Sequence, residues 1–162
     1  MFRILAAAIV TMGMAAAPSA AQDAARPAPP APPAGSPATY KSEKELLDVL
    51  AKATATGGMK VSAVSVTDQY RINIVHRDQP AGAIAHAGNT ELHYIIAGAG
   101  TVVTGGTIVR GATAAAATID NGVTRHVAKG DVVIVPANSP HWYKEIEGEI
   151  TYLEVRWLAP AK

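Results

Sequence analysis

From residue 60 to residue 157, apolar positions come in short runs of β-branched and aliphatic residues, broken at close intervals by glycine, asparagine and aspartate. This pattern predicts strands at 61–66, 70–76, 91–96, 100–103, 107–109, 131–135 and 150–157. Gly98-Ala99-Gly100, Gly105-Gly106, Asp120-Asn121-Gly122 and Lys129-Gly130-Asp131 read as the turns between them. The stretch 111–118 (GATAAAAT) reads as a loop, and Arg125 and His126 as an exposed turn. Many short strands with closely spaced turns imply an all-β sandwich or barrel.

Helical periodicity occurs once. Ser42 and Glu45 have capping-box spacing, in which each side chain satisfies the other's backbone donor. Leu46, Leu47, Val49 and Leu50 follow as an apolar stripe, so one short helix is expected over about 43–54, ending before Gly57-Gly58.

The N-terminal pattern is of another kind. Residues 4–17 (ILAAAIVTMGMAAA) form an uncharged, mostly apolar run behind Arg3, closed by Pro18 and by the small residues Ser19 and Ala21. A membrane span needs roughly 20 apolar residues. The run is shorter than that, and its flanks are those of a cleaved secretory signal. Residues 1–21 are therefore expected to be a signal peptide cut after Ala21, which makes the product periplasmic or secreted, with no integral membrane span. Residues 22–39 are rich in proline and alanine and cannot bury apolar surface, so they read as a disordered linker of polyproline character. The folded domain is expected over 40–162.

Composition narrows the partners. Cleavage removes one arginine and no acid, leaving 13 basic and 13 acidic residues with no basic cluster, which argues against a nucleic-acid partner. Cysteine is absent, so an exported domain must rely on its core and not on disulfides. No serine nucleophile elbow, phosphate-binding glycine loop or cysteine–histidine pair occurs, which removes those reaction classes.

Five histidines occur: His76, His86, His93, His126 and His141. In a strand over 91–96, Glu91, His93 and Ile95 share one face, and Leu92, Tyr94 and Ile96 share the other. Both faces carry apolar residues, so alternation leaves open which one is inside. If the first face is inside, a carboxylate and an imidazole enter the barrel side by side. Either they meet a metal ion there or they lie outside in solvent.

Two motifs bear on this. His86, Glu91 and Gly98 have the histidine–glutamate–glycine spacing of the first cupin motif. Gly130, Pro136 and His141 have the spacing of the second, with Asn138 where glycine is usual. Asparagine is among the residues that tolerate positive φ best, so that exchange is mild. The segment from Tyr70 to Trp157, with motifs at 86–98 and 130–141, thus resembles the cupin superfamily.

The resemblance implies a double-stranded β-helix, or jelly-roll barrel, preceded here by one short helix. It also implies a metal ion in the barrel mouth, held by His86, Glu91 and His141. The family's first histidine is replaced by Ile84, and His93, on the face of Glu91, is the natural substitute as fourth ligand. Glu145 stands at the final asparagine of the second motif. Three histidines and a carboxylate suit iron, manganese, nickel, cobalt or zinc.

Arg71 and Arg77 flank a strand beside such a site, and either could hold a substrate carboxylate. His76 and Trp142 are further candidates for contact with a ligand. The expected function is that of a metal-dependent enzyme on a small molecule, of dioxygenase, isomerase or lyase type. The alternative is a non-catalytic module that binds a small molecule or sugar. A homodimer would cover the open sheet edges.

Overall fold

The capping box forms as read. Glu45 Oε2 accepts from the Ser42 backbone N–H at 2.8 Å, and Ser42 Oγ accepts from the Glu45 N–H at 3.3 Å. The helix α1 spans Glu43–Ala51, slightly shorter than expected. Of its apolar stripe only Leu50 is buried. The helix is held to the first strand through Ser62 Oγ, which donates to the Val49 carbonyl at 2.9 Å.

The structure is a computed structural model, and it describes Gly35 and residues 37–159. The expected signal segment 1–21, and all but the last few residues of the linker 22–39, lie outside the described residues. Residues 39–159 form one compact unit. Among the described residues, no helix is long and apolar enough to cross a membrane.

Eight strands follow α1: β1 (Met59–Val66), β2 (Tyr70–Arg77), β3 (Asn89–Thr104), β4 (Thr107–Val109), β5 (Thr118–Asp120), β6 (Val123–Ala128), β7 (Val132–Val135) and β8 (His141–Leu158). The main sheet runs β1-β2-β8-β3-β6, and β7 also pairs with β3. β4 and β5 form a separate two-stranded sheet. Every pairing is antiparallel.

Three sequence readings are corrected here. Gly98-Ala99-Gly100 is not a turn, because β3 continues through it and stays paired with β8. The register shifts at Ile95/Ala97, Gly98/Gly100 and Thr101/Val102 instead. An inserted residue lets a strand bend and twist without giving up its ladder. Arg125 and His126 lie in β6, not in a turn. That strand is exposed along most of its length and shows no alternation of burial, so its pairing with β3 left little trace in the sequence. β8 begins at His141, nine residues before the expected start, because Trp142, Tyr143, Glu145 and Ile146 extend its ladder along β3.

The interior is filled by Val75, Ile95, Val102, Val127, Tyr143, Ile150 and Tyr152. A second, smaller cluster of Ala83, Val103, Ala117 and Ile119 takes in Trp142. The long β3 and β8, bent by bulges and joined at their edges by the shorter strands, leave a cavity of about 400 Å³ between β1, β2, β8 and the loop of His86.

Candidate metal centre

Strand alternation places Glu91, His93 and Ile95 inward, with 1%, 2% and 0% of their surface exposed. Tyr94, on the opposite face, is 41% exposed. The structure thus answers the question that alternation left open.

His141, the first residue of β8, is fixed by a two-way backbone bridge to Ile84. Ile84 N–H donates to the His141 carbonyl at 3.0 Å, and His141 N–H donates to the Ile84 carbonyl at 2.8 Å. His86 sits on the loop before β3, and its carbonyl accepts from the Asn138 N–H at 3.0 Å. Asn138 reaches that position with φ of 65°, a conformation that asparagine tolerates better than most residues other than glycine. Two short backbone clasps therefore bring the two motif segments together.

The three imidazoles converge on one carboxylate. Glu91 Oε1 lies 3.3 Å from His86 Nε2, and Glu91 Oε2 lies 3.2 Å from His93 Nε2 and 3.5 Å from His141 Nε2. Among the described residues, two groups could hold a metal ion: His86, Glu91 and His141, and Glu91, His93 and Glu154. Glu91 belongs to both.

Glu154 and Arg156 were not anticipated as site residues. Across the β3–β8 ladder His93 faces Glu154 and Glu91 faces Arg156, and across β2–β8 Asn73 faces Glu154 and Arg71 faces Arg156. The inward side chains of three adjacent strands thus stand in rows. Asn73 Nδ2 donates to Glu154 Oε1 at 2.7 Å, and Arg156 Nη2 donates to Glu154 Oε2 at 2.9 Å. Arg156 Nε lies 2.9 Å from Glu154 Oε1 and 3.2 Å from Glu91 Oε1. Neither contact is aligned as a hydrogen bond, so Glu91 Oε1 and Arg156 Nε interact by charge alone. The polar alternation Tyr152, Glu154, Arg156 was the available signal, but it sits in a run whose other face is also largely apolar.

Tyr143 and Tyr152 complete the floor. The Tyr143 hydroxyl is 3.1 Å from His93 Nδ1, and the His93 ring lies 4.8 Å from that of Tyr152. Burial, together with the neighbouring phenol, raises the Tyr143 pKa well above its usual value. Burial likewise pushes Tyr152 up to about 12. Both phenols therefore stay protonated. A hydroxyl donates and accepts, so Tyr143 satisfies either tautomer of His93.

Electrostatics test whether these residues fit a cation. Burial lowers the His141 pKa to about 4 against the opposing pull of Glu91, so its ring is neutral. Burial would raise the pKa of Glu91, but the hydrogen bond from His93 and the fixed charge of Arg156 outweigh it and hold the carboxyl below its ordinary value. His141 Nδ1 donates to the Ser139 carbonyl at 3.3 Å, which leaves a bare lone pair on Nε2 facing Glu91. At His86 the Nε2 lone pair accepts from Arg156 Nη2 at 3.2 Å and also lies beside Glu91. Lone pairs set against a buried carboxylate repel it unless positive charge stands between them. Arg156 supplies part of that charge, and a divalent ion would supply the rest. The donor set fits a metal.

Of the other expected residues, Arg71 lines the cavity near its exposed rim. His76 points the other way, because Arg71, Asn73, Val75 and Arg77 take the inner face of β2. It pairs with Thr151 Oγ1 at 2.9 Å, outside the cavity wall. Trp142 packs against the small cluster around Val103 and is likewise not in the cavity wall. Ile84 lines the cavity with 40% of its surface exposed.

No family model matches the sequence, and no curated protein matches it. Solved structures do match. A conserved protein with a double-stranded β-helix domain from Klebsiella pneumoniae superposes with a TM-score of 0.52 at 16% identity, over 72% of this chain and 90% of that one. The cupin domain of Schizosaccharomyces pombe Cnp3 gives 0.49 at 13% identity, over 68% and 72%. KdgF from Halomonas sp. gives 0.49 at 14% identity, over 66% and 86%. The antiparallel topology, the bulged pair of long strands and the match to a double-stranded β-helix lead to one conclusion: this chain has the fold of the cupin superfamily.

Proposed function

We propose that the protein is an exported, metal-dependent enzyme that acts on a small molecule inside its barrel. The observation that carries this reading is the convergence of three imidazoles on the buried carboxylate of Glu91 at the wall of an open cavity. His86, Glu91 and His141 would hold the ion, with His93 as fourth ligand. The ion's chemistry would be that of a Lewis acid or of a bound water made acidic enough to act as hydroxide near neutral pH.

The chain's own residues do the rest. Ser139 holds His141 in the tautomer that presents Nε2, as outer partners of ligating histidines commonly do. Tyr143 fixes the orientation of the His93 ring through its hydroxyl without selecting a tautomer. Arg156 is retained by Glu154 whether or not it contacts Glu91.

One observation favours a second reading, a binding module without turnover. Glu154 is engaged by Asn73 and Arg156, and both phenols stay protonated, so among the described residues the cavity offers no free carboxylate or phenolate as general base beyond the imidazoles assigned to the ion. Turnover of any small molecule by metal-loaded protein would decide for the enzyme; a thermal shift alone would decide for the module.

Titration with manganese, nickel and zinc tests the site. His93→Ala and His141→Ala are each expected to weaken binding at least roughly 10–100-fold, the loss typical even of an outer-shell partner. The control is His126→Ala, whose exposed ring pairs with Glu147 away from the cavity and which is expected to bind like the parent. If His93→Ala also binds like the parent while His141→Ala does not, the site has three protein ligands. If all four proteins behave alike, the barrel holds no metal.

The export half is tested by the mass of protein recovered from its native cells. Mature protein is expected to begin near Gln22, the residue after Ala21. Soluble cytoplasmic protein that retains Met1 would overturn it.

A further inference from the structure

Arg77 is a buried cation that the metal centre does not use. It is the last residue of β2, 8% exposed, and it lines the cavity. Its Nε donates to the Tyr152 hydroxyl at 3.0 Å, and its guanidinium carbon lies 5.5 Å from the centre of the Tyr143 ring. Its Nη1 is buried without a hydrogen-bond partner. Among the described residues, no carboxylate forms a salt bridge with it. Glu154, the acid in the same cavity wall, is taken up by Arg156 and Asn73.

A buried guanidinium with an unpaired edge is costly, because water no longer solvates it and no acid neutralises it. The cavity as a whole has the same imbalance. Arg71, Arg77 and Arg156 line it against Glu154, with Glu91 behind. A divalent ion at the proposed site would increase the excess of positive charge.

We propose that Arg77 is an anion subsite for the carboxylate of a small organic acid, the ligand class of this cavity. One buried guanidinium carries one charge, which a monocarboxylate neutralises, and its planar fork matches the two oxygens of that group. A phosphate dianion would bring a second charge that Arg77 alone does not meet. Tyr143 and Tyr152 each contact both Arg77 and His93, so a ligand held at Arg77 would lie one aromatic layer from the imidazole cluster.

The inference rests on the cavity being the ligand site, as in the proposed function, but it does not need the metal. Its test therefore uses the full protein both EDTA-treated and metal-loaded, with propionate, its neutral isostere propionamide and inorganic phosphate as probes, followed by ligand-observed NMR. Propionate is expected to bind the EDTA-treated parent, and propionamide is not. Arg77→Gln is expected to weaken propionate binding roughly 10- to 100-fold, as loss of a charge-assisted pair does. Arg71→Gln, at the exposed rim, is expected to weaken it less.

Should Arg77→Gln lose its cooperative melt, Arg77→Lys decides, since it keeps the charge and loses the fork. A several-fold weaker propionate Kd in that variant supports the subsite, and an unchanged Kd overturns it. The subsite is also overturned if propionate binds only metal-loaded protein, since the carboxylate would then sit on the ion. Failure of propionate to bind either form overturns it too, as does phosphate binding more tightly than propionate. Propionate binding to the EDTA-treated parent, lost in Arg77→Gln, stands even where the metal reading fails.

Discussion

Glu91→Gln is expected to abolish measurable metal binding while leaving the metal-free fold nearly unchanged. Glu91 alone contacts all three imidazoles, and its carboxylate is the negative charge that a divalent ion would meet at that point. A ligand present at 100 times its Kd stabilises the folded state by about 2.7 kcal/mol, so the parent's melting temperature is expected to rise with added manganese or zinc. The amide keeps the shape of the carboxyl but carries no charge, so that rise is expected to disappear at the same metal concentration. The metal-free variant keeps its stability because Arg156 retains both of its contacts to Glu154, at 2.9 Å each. A metal-induced shift equal to the parent's would remove Glu91 from the site. A metal-free variant that no longer melts cooperatively would show that Glu91 is chiefly structural.

Gly98→Ala is expected to produce a large loss of stability from a single added methyl group. Gly98 has φ of +75°, and a Cβ built there would lie 1.9 Å from the Glu149 carbonyl oxygen and 2.9 Å from the Ile150 Cα. Both obstacles are backbone of the paired strand, so no side-chain rotation relieves them. The strained φ alone costs of order 1–3 kcal/mol. Relief of the overlap must in addition part β3 from β8 at the bulge that bends both. A fall in melting temperature of roughly 10–15 °C is expected for a domain of this size.

Gly130→Ala is the matched control. It has φ of +98° with nothing within 4 Å of the added carbon, so it carries backbone strain and no collision. Equal losses in the two variants would show that the close approach at Gly98 contributes nothing.

The residues of the candidate site were legible in the sequence to unequal degrees. His86, Glu91 and His141 fall at motif spacings, and their meeting is enforced by two backbone clasps, Ile84 with His141 and His86 with Asn138. Glu154 and Arg156 were not legible. A carboxylate and a guanidinium near the end of a strand read as solvated unless the strand's inner face is known. That face is set by the register of β8 against β2 and β3, a pairing over long sequence separations. Arg77 differs again: its place beside the site was anticipated, but not its burial without a partner.

What the sequence determined by itself is whatever local chemistry decides. The capping box starts α1, the clustering of β-branched runs and turn residues makes the chain all-β, and alternation ties Glu91 and His93 to one face wherever that face lies. Tertiary pairing decided what local chemistry leaves degenerate. Glycine at 98 serves a turn and a bulge equally well, and only the presence of β8 alongside made it a bulge. Both faces of the strand at 91–96 are apolar enough to be buried, and only the sheets around it selected the face of Glu91 as the interior. His76 and Arg77 are neighbours in the chain, yet the pleat of β2 sends one to Thr151 and the other into the cavity. The physical reason is common to all three. A strand's side-chain period specifies relative facing but not absolute facing, and the absolute choice is made by which partners cover the sheet.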